Sequence, residues 1–291
     1  MLPTLVLLSR NFATLSTNMS LPHFYLENQV VALEEEAVFP LRLTLDDAKH
    51  ARVLRLAPGE HVAVVDAARD YFECEIVSTS DEVPLVRIAQ HLDAPTPSAT
   101  VLLVQGLAKG DKMETVIRHA TELGVTGFLP LVCDRSIVKL DTKKAQTKTQ
   151  RWQAIAKSAA MQSGQCDVPE VCEPKSLEEA CSALSHATAI LVCWEEAPQT
   201  ARLSAAIWRG IERCQVLPHE ARIAVVVGPE GGLTDREVDA FLECNERAAL
   251  VSLGPSILRT ETAGIVASAL TLYELGGLGN ATRGGVEDVA R

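Results

Sequence analysis

The sequence predicts an α/β protein: a mostly parallel sheet with helices on both faces, preceded by a small β-rich domain. Three observations carry that prediction. Beyond the proline-rich stretch Asp93-Ala94-Pro95-Thr96-Pro97-Ser98, short apolar runs alternate with helix-period segments. Such alternation is the pattern of parallel strands joined by covering helices. Before that stretch the runs are short, rich in β-branched residues and separated by turn residues. Finally, two loops stand where a strand pattern gives way to a helix pattern: Val227-Gly228-Pro229-Glu230-Gly231-Gly232 and Ser252 to Ala263. In an open α/β sheet the crevice for a small polar ligand forms beyond the carboxyl ends of the strands.

Taken in order, residues 19–92 read as a small β-barrel. His61 to Asp66, Tyr71 to Val77 and Leu85 to Ile88 are its clearest strands. Pro58-Gly59, Ala68-Arg69-Asp70 and Ser78 to Glu82 mark turns between them. One helix is expected over Asp46 to Leu54, with Thr44 or Asp46 as its N-cap. Residues 93–98 are the linker. The second domain, 99–277, opens with a buried strand at Val101 to Gln105. A helix follows over Asp111 to Leu123, because Met113, Val116, Ile117, Ala120 and Leu123 recur at spacings of three and four. Gly124 supplies its C-cap. Gly127 to Leu131 is the next strand and Thr149 to Ser163 the next helix. Ala189 to Cys193, Ile223 to Val227 and Leu250 to Leu253 are further strands. Asp235 to Cys244, capped by Thr234, and Ala263 to Leu275 are further helices. Residues 278–291 read as a polar, glycine-containing tail.

A length of 291 residues suits two domains, and 47% apolar with 22% charged residues excludes wholesale disorder. No apolar run approaches the roughly 20 residues of a membrane-spanning helix. Eight cysteines without a Cys-x-x-Cys pair fit neither a zinc site nor a disulfide framework. Reduced thiols packed as small hydrophobes, in a cytoplasmic protein, are expected. Residues 1–18 hold Arg10, no acidic residue and several Ser and Thr, a composition shared with organellar presequences. A translation start at Met19 is the simpler expectation, with an organellar location the alternative.

The net charge of −11 argues against nucleic acid as a partner. Its distribution argues otherwise. Residues 97–160 carry 10 Lys/Arg against 5 Asp/Glu, a basic island between two acidic regions. Such an island is the electrostatic footprint of a phosphate-binding surface, or a solvated helix face.

The motifs narrow the chemistry. The Gly228 to Gly232 loop lacks the Gly-Lys-Ser/Thr of a P-loop and the spacing of a dinucleotide fingerprint. A buried Glu230 at the turn suits a cationic or hydroxyl-bearing ligand. Gly254-Pro255-Ser256 is not a nucleophile elbow, because position 258 is Leu. His219-Glu220 has no second His to make a zinc motif. In Arg259-Thr260-Glu261-Thr262, a capping role for Thr260 or Thr262 fits, and Glu261 suits a helix N-terminus. Arg259 does not, since a cation there opposes the helix dipole.

Over residues 20–277 the sequence resembles the bacterial ribosomal RNA small subunit methyltransferase E family. The stretches that carry the resemblance run in order along both domains: His50 to Arg55, Lys109-Gly110-Asp111-Lys112-Met113-Glu114, Ala120 to Val125, Arg135 to Lys139 and Arg151 to Ala156. Gln162-Ser163-Gly164 with Val168-Pro169-Glu170, and both C-terminal loops, complete the set. The chain departs from the family pattern at Ser256, Met161 and Gln165, and the changes at 256 and 165 remove positive charge near the expected RNA face.

The resemblance implies a SPOUT methyltransferase domain with a C-terminal trefoil knot, a PUA-like RNA-binding barrel, and a homodimer. It implies S-adenosyl-L-methionine as cofactor, no metal and no membrane. The substrate would be N3 of a uridine in 16S rRNA, within the small ribosomal subunit. Three loops would hold the cofactor. The first supplies Cys193, Trp194 and Glu195. The second supplies Val227, Gly228, Pro229, Glu230, Gly231 and Gly232. The third supplies Leu253, Gly254, Ile257 and Leu258, with Thr262 just beyond. Arg259 is the expected catalytic group, stabilising charge that develops on the uracil carbonyls, and Glu261 is expected to orient it or take the proton. The target base would have to leave its stack. Phosphate contacts fall to Arg52, Arg55, Lys109, Lys112, Arg118, Arg135, Lys139 and Arg151, with Lys143 and Lys144 beside them. Two other readings stay open: a Rossmann-type nucleotide enzyme, and a non-catalytic RNA-binding protein of the same fold.

Overall fold

The computed structural model describes residues 21–79, 83–93 and 99–278. The expectations for residues 1–18, for most of the linker and for nearly all of the tail lie outside the described residues.

The first sheet has five strands in the order β1-β3-β4-β5-β2. They are β1 (His23–Tyr25), β2 (Phe39–Pro40), β3 (His61–Val65), β4 (Tyr71–Ser78) and β5 (Leu85–Leu92). β1 pairs with β3 in parallel, and the other pairs are antiparallel. From Tyr71 to Ile76 of β4 the odd-numbered positions are half-buried and the even ones buried, so Phe72, Cys74 and Ile76 face the core. Helix α1 (Leu45–Leu54) starts at Thr44, whose hydroxyl accepts the Asp47 backbone N–H, as a capping Thr should.

The second sheet has six strands, all parallel, in the order β11-β9-β10-β6-β7-β8. They are β6 (Thr100–Gly106), β7 (Gly127–Leu131), β8 (Glu170–Val171), β9 (Ala189–Cys193), β10 (Arg222–Val227) and β11 (Ala248–Val251). The helices are α2 (Lys112–Leu123), α3 (Thr142–Ser163), α4 (Leu177–Leu184), α5 (Leu203–Cys214), α6 (Asp235–Cys244) and α7 (Thr260–Glu274). Alternation along the strands feeds two cores. Val101, Leu103, Ile223, Val225 and Val227 pack against α2, α3, α5 and α7, while Val104, Ala224 and Val226 pack against α4 and α6. Both faces are thus covered, which is why these strands read as continuous apolar runs.

Several boundaries differ from those the sequence suggested. α3 starts at Thr142, not Thr149, because Asp141 caps it by accepting the Lys144 N–H. Its first two turns are largely exposed and polar, so they carry no apolar period. β11 ends at Val251, two residues early. α7 starts at Thr260, and Arg259 is its N-cap residue, so neither Thr260 nor Thr262 caps it. No helix is long and apolar enough to cross a membrane among the described residues.

α3 joins the two parts of the chain. Ala160 and Met161, near its C-terminal end, are buried in the core of the first sheet. The Tyr25 hydroxyl donates to the Gln165 carbonyl, and Lys157 pairs with buried Asp47 of α1 at 2.8 Å.

Candidate active site

Strand register sets the site. Gln105 of β6 is level with Val227 of β10, Val227 with Cys193 of β9, and Cys193 with Val251 of β11. Four strands therefore end in one row, and three of the loops beyond them face one another. Between those loops lies a cavity of about 430 Å³. Cys193, Trp194 and Glu195 line it from the first loop. Val227, Gly228, Pro229, Glu230 and Gly232 line it from the second, and Leu253, Gly254, Ile257, Leu258 and Arg259 from the third.

Two expected residues fall outside the lining. Gly231 turns away, against the Arg135 side chain. Thr262 is exposed on α7, and Ala263 lines the cavity in its place. Lys112, Ala197, Gln199, Ser252, Pro255 and Ser256 line it as well. Ser256 therefore belongs to the cavity wall. Lys112 was expected to face RNA phosphates.

The glycines of the second loop are required by close approach. A Cβ on Gly228 would lie 2.8 Å from the Gly232 carbonyl carbon and the Leu233 nitrogen. Gly232 has φ +71°, which side chains rarely adopt. One polar relay locks this loop to α7. The buried Gln105 amide donates to Thr260 Oγ1 at 2.8 Å, and that hydroxyl donates to the Gly228 carbonyl at 2.6 Å. The sequence reading missed both residues as site groups. The available signal is a glutamine ending the apolar run of β6, where a buried polar side chain needs a partner.

Charge in the site is arranged around Lys112. Its ammonium lies 3.0 Å from Glu230 Oε1 and 3.3 Å from Glu261 Oε2. These bonds, the one to Glu230 foremost, hold the ammonium above its ordinary pKa. The Glu230 carboxyl is pushed up by partial burial. Hydrogen bonds from the Lys109 N–H, its own backbone and Lys112 outweigh that, and the net direction is down. Glu230 is not the buried residue expected, since 27% of its side chain is exposed. Arg259 is exposed, and its guanidinium has no hydrogen bond or ion pair among the described residues. Glu261 is paired with Lys112 and does not orient Arg259, contrary to the expectation from sequence. Cys193 is buried, which pushes its thiol up to about 12. It stays a neutral thiol at ordinary pH, so the cavity holds no activated cysteine nucleophile among the described residues.

The basic residues expected at an RNA face divide into two sets. Arg52, Arg55, Lys109, Arg118, Lys139 and Lys143 are exposed and their side chains are unpaired among the described residues. The others are engaged. Arg135 donates to the carbonyls of Gly231 and Leu233 and buttresses the second loop. Arg151 pairs with Glu114, and Lys144 with Asp141.

The second sheet, the three loops and Arg259 all fall within residues 95–272, which match the family model of an RNA methyltransferase domain. The similarity to curated proteins is more specific. The chain is 34% identical to ribosomal RNA small subunit methyltransferase E of Bacillus subtilis, over 86% of this chain and 96% of that protein. It is 30% identical to the Mycobacterium tuberculosis protein of the same name, over 76% and 82% respectively. The chain belongs to the ribosomal RNA small subunit methyltransferase E family. Its fold matches the crystal structure of the Neisseria gonorrhoeae protein of that name, bound to S-adenosylmethionine. There the TM-score is 0.70 with 27% identity, over 87% of this chain and 97% of that one.

Proposed function

We propose that the protein transfers a methyl group from S-adenosylmethionine to N3 of a uridine in small-subunit ribosomal RNA. The observation that carries this reading is the cavity at the strand ends with an unpaired Arg259 at its wall. The cavity suits the cofactor in size and chemistry. Binding pockets for such ligands typically span roughly 300–1,000 Å³, with a mostly apolar lining and a few placed polar groups. Val227, Leu253 and Leu258 offer apolar surface, glycine loops let backbone groups approach, and Glu195 and Glu230 offer acceptors for hydroxyl and ammonium groups.

The cofactor supplies a methyl group already activated for transfer. What remains for the chain is to hold the nucleophile in line and to stabilise charge. Uridine N3 attacks well only after losing its proton, which places negative charge on the uracil carbonyls. Arg259, fixed by backbone at the start of α7 but free at its guanidinium, can donate to those oxygens. The N3–CH3 bond forms as the S–CH3 bond breaks, and the N3 proton leaves to solvent, since Glu261 and Glu230 are both paired with Lys112.

The rest of the reading follows the family. α7 starts beside the β10 loop and packs on α2, although β11, which precedes it, is at the far end of the sheet. That path supports a C-terminal trefoil knot. α7 also leaves Leu270 and Tyr273 exposed, which supports a homodimer built on this helix. The first sheet acts as a PUA-like barrel whose α1 and its C-cap carry Arg52 and Arg55, and the protein works in the cytoplasm.

The test is methylation of small-subunit particles and of free 16S rRNA with labelled S-adenosylmethionine, followed by nucleoside analysis. N3-methyluridine at one position supports the reading. Label on a ribose or on another base overturns it.

A further inference from the structure

The Lys112 ammonium, at the first residue of α2, stands between two carboxylates from distant parts of the chain. Glu230 Oε1, on the loop after β10, is 3.0 Å away, and Glu261 Oε2, in the first turn of α7, is 3.3 Å away. All three side chains are less than one third exposed, so water screens their charges only in part. Two carboxylates that share one nitrogen face each other at short range, and without the ammonium they repel. Neither has a second cation: among the described residues each forms its ion pair with Lys112 alone. Glu261 Oε2 is buried and has no other partner among the described residues.

The surrounding anchors decide what that repulsion would move. Gly228 is held by the Thr260 hydroxyl and Gly231 by Arg135, so the backbone on both sides of Glu230 is fixed. Glu261 belongs to α7, and the helix fixes its backbone. The movable part is the Glu230 side chain, and Glu230 lines the cavity. Its Oε1 meets both Lys112 and the Lys109 N–H, the latter at 3.0 Å, and Oε2 is left to a ligand. Without Lys112, the Lys109 N–H would be the one bond from another residue opposing its displacement, among the described residues.

We propose that Lys112 is a positioning residue for the cofactor: its charge holds the Glu230 and Glu261 carboxylates together and so fixes Glu230 as an acceptor in the cavity wall. The role rests on the S-adenosylmethionine reading of the cavity and asks nothing of Arg259. Other charged groups surround the pair. They are Lys109 and Asp111 ahead of α2, Glu114 within it and paired with Arg151 of α3, Arg135 beside the β10 loop, Glu195 in the first loop and Arg259 at the start of α7. His119 lies two turns further along α2, paired with Glu122. No histidine lines the cavity among the described residues, so carboxylates are the groups there that take up protons below neutral pH.

The test is calorimetric titration of S-adenosylmethionine into the full chain at about pH 7 and about pH 5, either side of the range where a carboxylate beside a like charge takes a proton. Four proteins are compared: wild type, Lys112→Met, Lys112→Arg and the double variant Lys112→Met/Glu261→Gln. In wild type Lys112 already compensates the pair, and affinity should change by less than about threefold between the two conditions, a margin that also covers titration of the ligand. Lys112→Met should bind about tenfold or more weakly at pH 7, and about threefold or more of that loss should return at pH 5, where one carboxylate is neutralised by its proton. Lys112→Arg keeps the charge and should bind within about threefold of wild type. So should the double variant, at both pH values, because a neutral amide at 261 no longer repels Glu230. A loss that acid relieves and an amide cures is the readout a packing role would not produce. A single variant too unstable to titrate, beside a double variant that folds and binds, supports the same role. The assignment is overturned if Lys112→Met binds like wild type, or if the double variant, folded by its melting profile, is as weak as a folded Lys112→Met. A wild type that binds no S-adenosylmethionine would overturn the underlying reading as well. A wild type that binds it, with no effect at Lys112, would overturn this role alone.

Discussion

One hydroxyl ties the start of α7 to the loop after β10. Thr260 is buried, accepts from Gln105 and donates to the Gly228 carbonyl. Thr260→Val keeps the shape but removes both bonds, leaving a buried amide and a buried carbonyl unsatisfied. Unfolding in denaturant should show a loss of about 2–4 kcal/mol, from about 1–3 kcal/mol for each stranded group with partial relaxation. Cofactor affinity should fall with it, because the loop loses its tether. Arg259→Ala is the complementary case. The guanidinium holds nothing in the fold, so stability should be unchanged. Turnover should fall by about 100-fold or more, the loss seen when one oxyanion donor is removed. Weaker cofactor binding with normal turnover at saturation would contradict its role. Arg259 was legible in the sequence because a cation at a helix start opposes the dipole and so calls for another explanation. The partner of Glu261 was not, since Lys112 lies far away in the sequence and only the sheet brings them together.

At the scale of elements, legibility followed period and length, except at α5. Leu203, Ala206, Ile207 and Ile211 recur there at helical spacing, but the sequence reading missed the helix because no capping side chain marks its start. β9 and β10 read directly from apolar runs, and α2 from its spacing of three and four. α6 was announced by Thr234, which forms a full capping box with Glu237. α4 carries the same signal at Ser176 and Glu179, but its eight residues are too few to establish a period. The N-terminal turns of α3 were hidden for a different reason: they have no buried face, so only their cap marks them. Those turns, with the segment before them, carry Lys139, Lys143, Lys144, Lys148 and Arg151. α1, which bears Arg52 and is C-capped by Arg55, is pinned to the same helix through Asp47 and Lys157. Affinity for ribosomal RNA should therefore drop steeply with salt, by a slope of about 0.7–0.9 per phosphate contact on a log–log plot. Lys139→Ala/Lys143→Ala should lower both the affinity and that slope while leaving cofactor binding intact. A slope unchanged from wild type would remove this face from the interface. Arg135 is not expected to behave this way, because its guanidinium holds the second loop.

For the whole molecule, the union of the two sheets is the feature that sequence periodicity does not reveal. His23 lies at that union, buried, with Gly164 of the α3 C-cap against its ring. Its Nδ1 is 2.8 Å from the Leu21 carbonyl, so it must donate there. Nε2 is then the acceptor for the Tyr71 hydroxyl at 2.7 Å. Both contacts suit a neutral ring, and burial holds the pKa of His23 below the ordinary 6.5. With the folded value depressed, the unfolded chain binds the extra proton first. Stability is present above about pH 6.5 and is lost as pH falls toward the folded value. Melting temperature should fall on acidification from neutral pH, and His23→Gln should flatten that fall. An equal fall in both proteins would clear His23 of the effect. All of these expectations converge on a cavity built to hold a sulfonium cofactor beside Arg259. The most direct test is a calorimetric titration of S-adenosylmethionine and S-adenosylhomocysteine into the protein, with NAD as control. Saturable binding of both, with dissociation constants on the order of micromolar and no heat from NAD, is the predicted result. No binding of either, or binding of NAD instead, would contradict it.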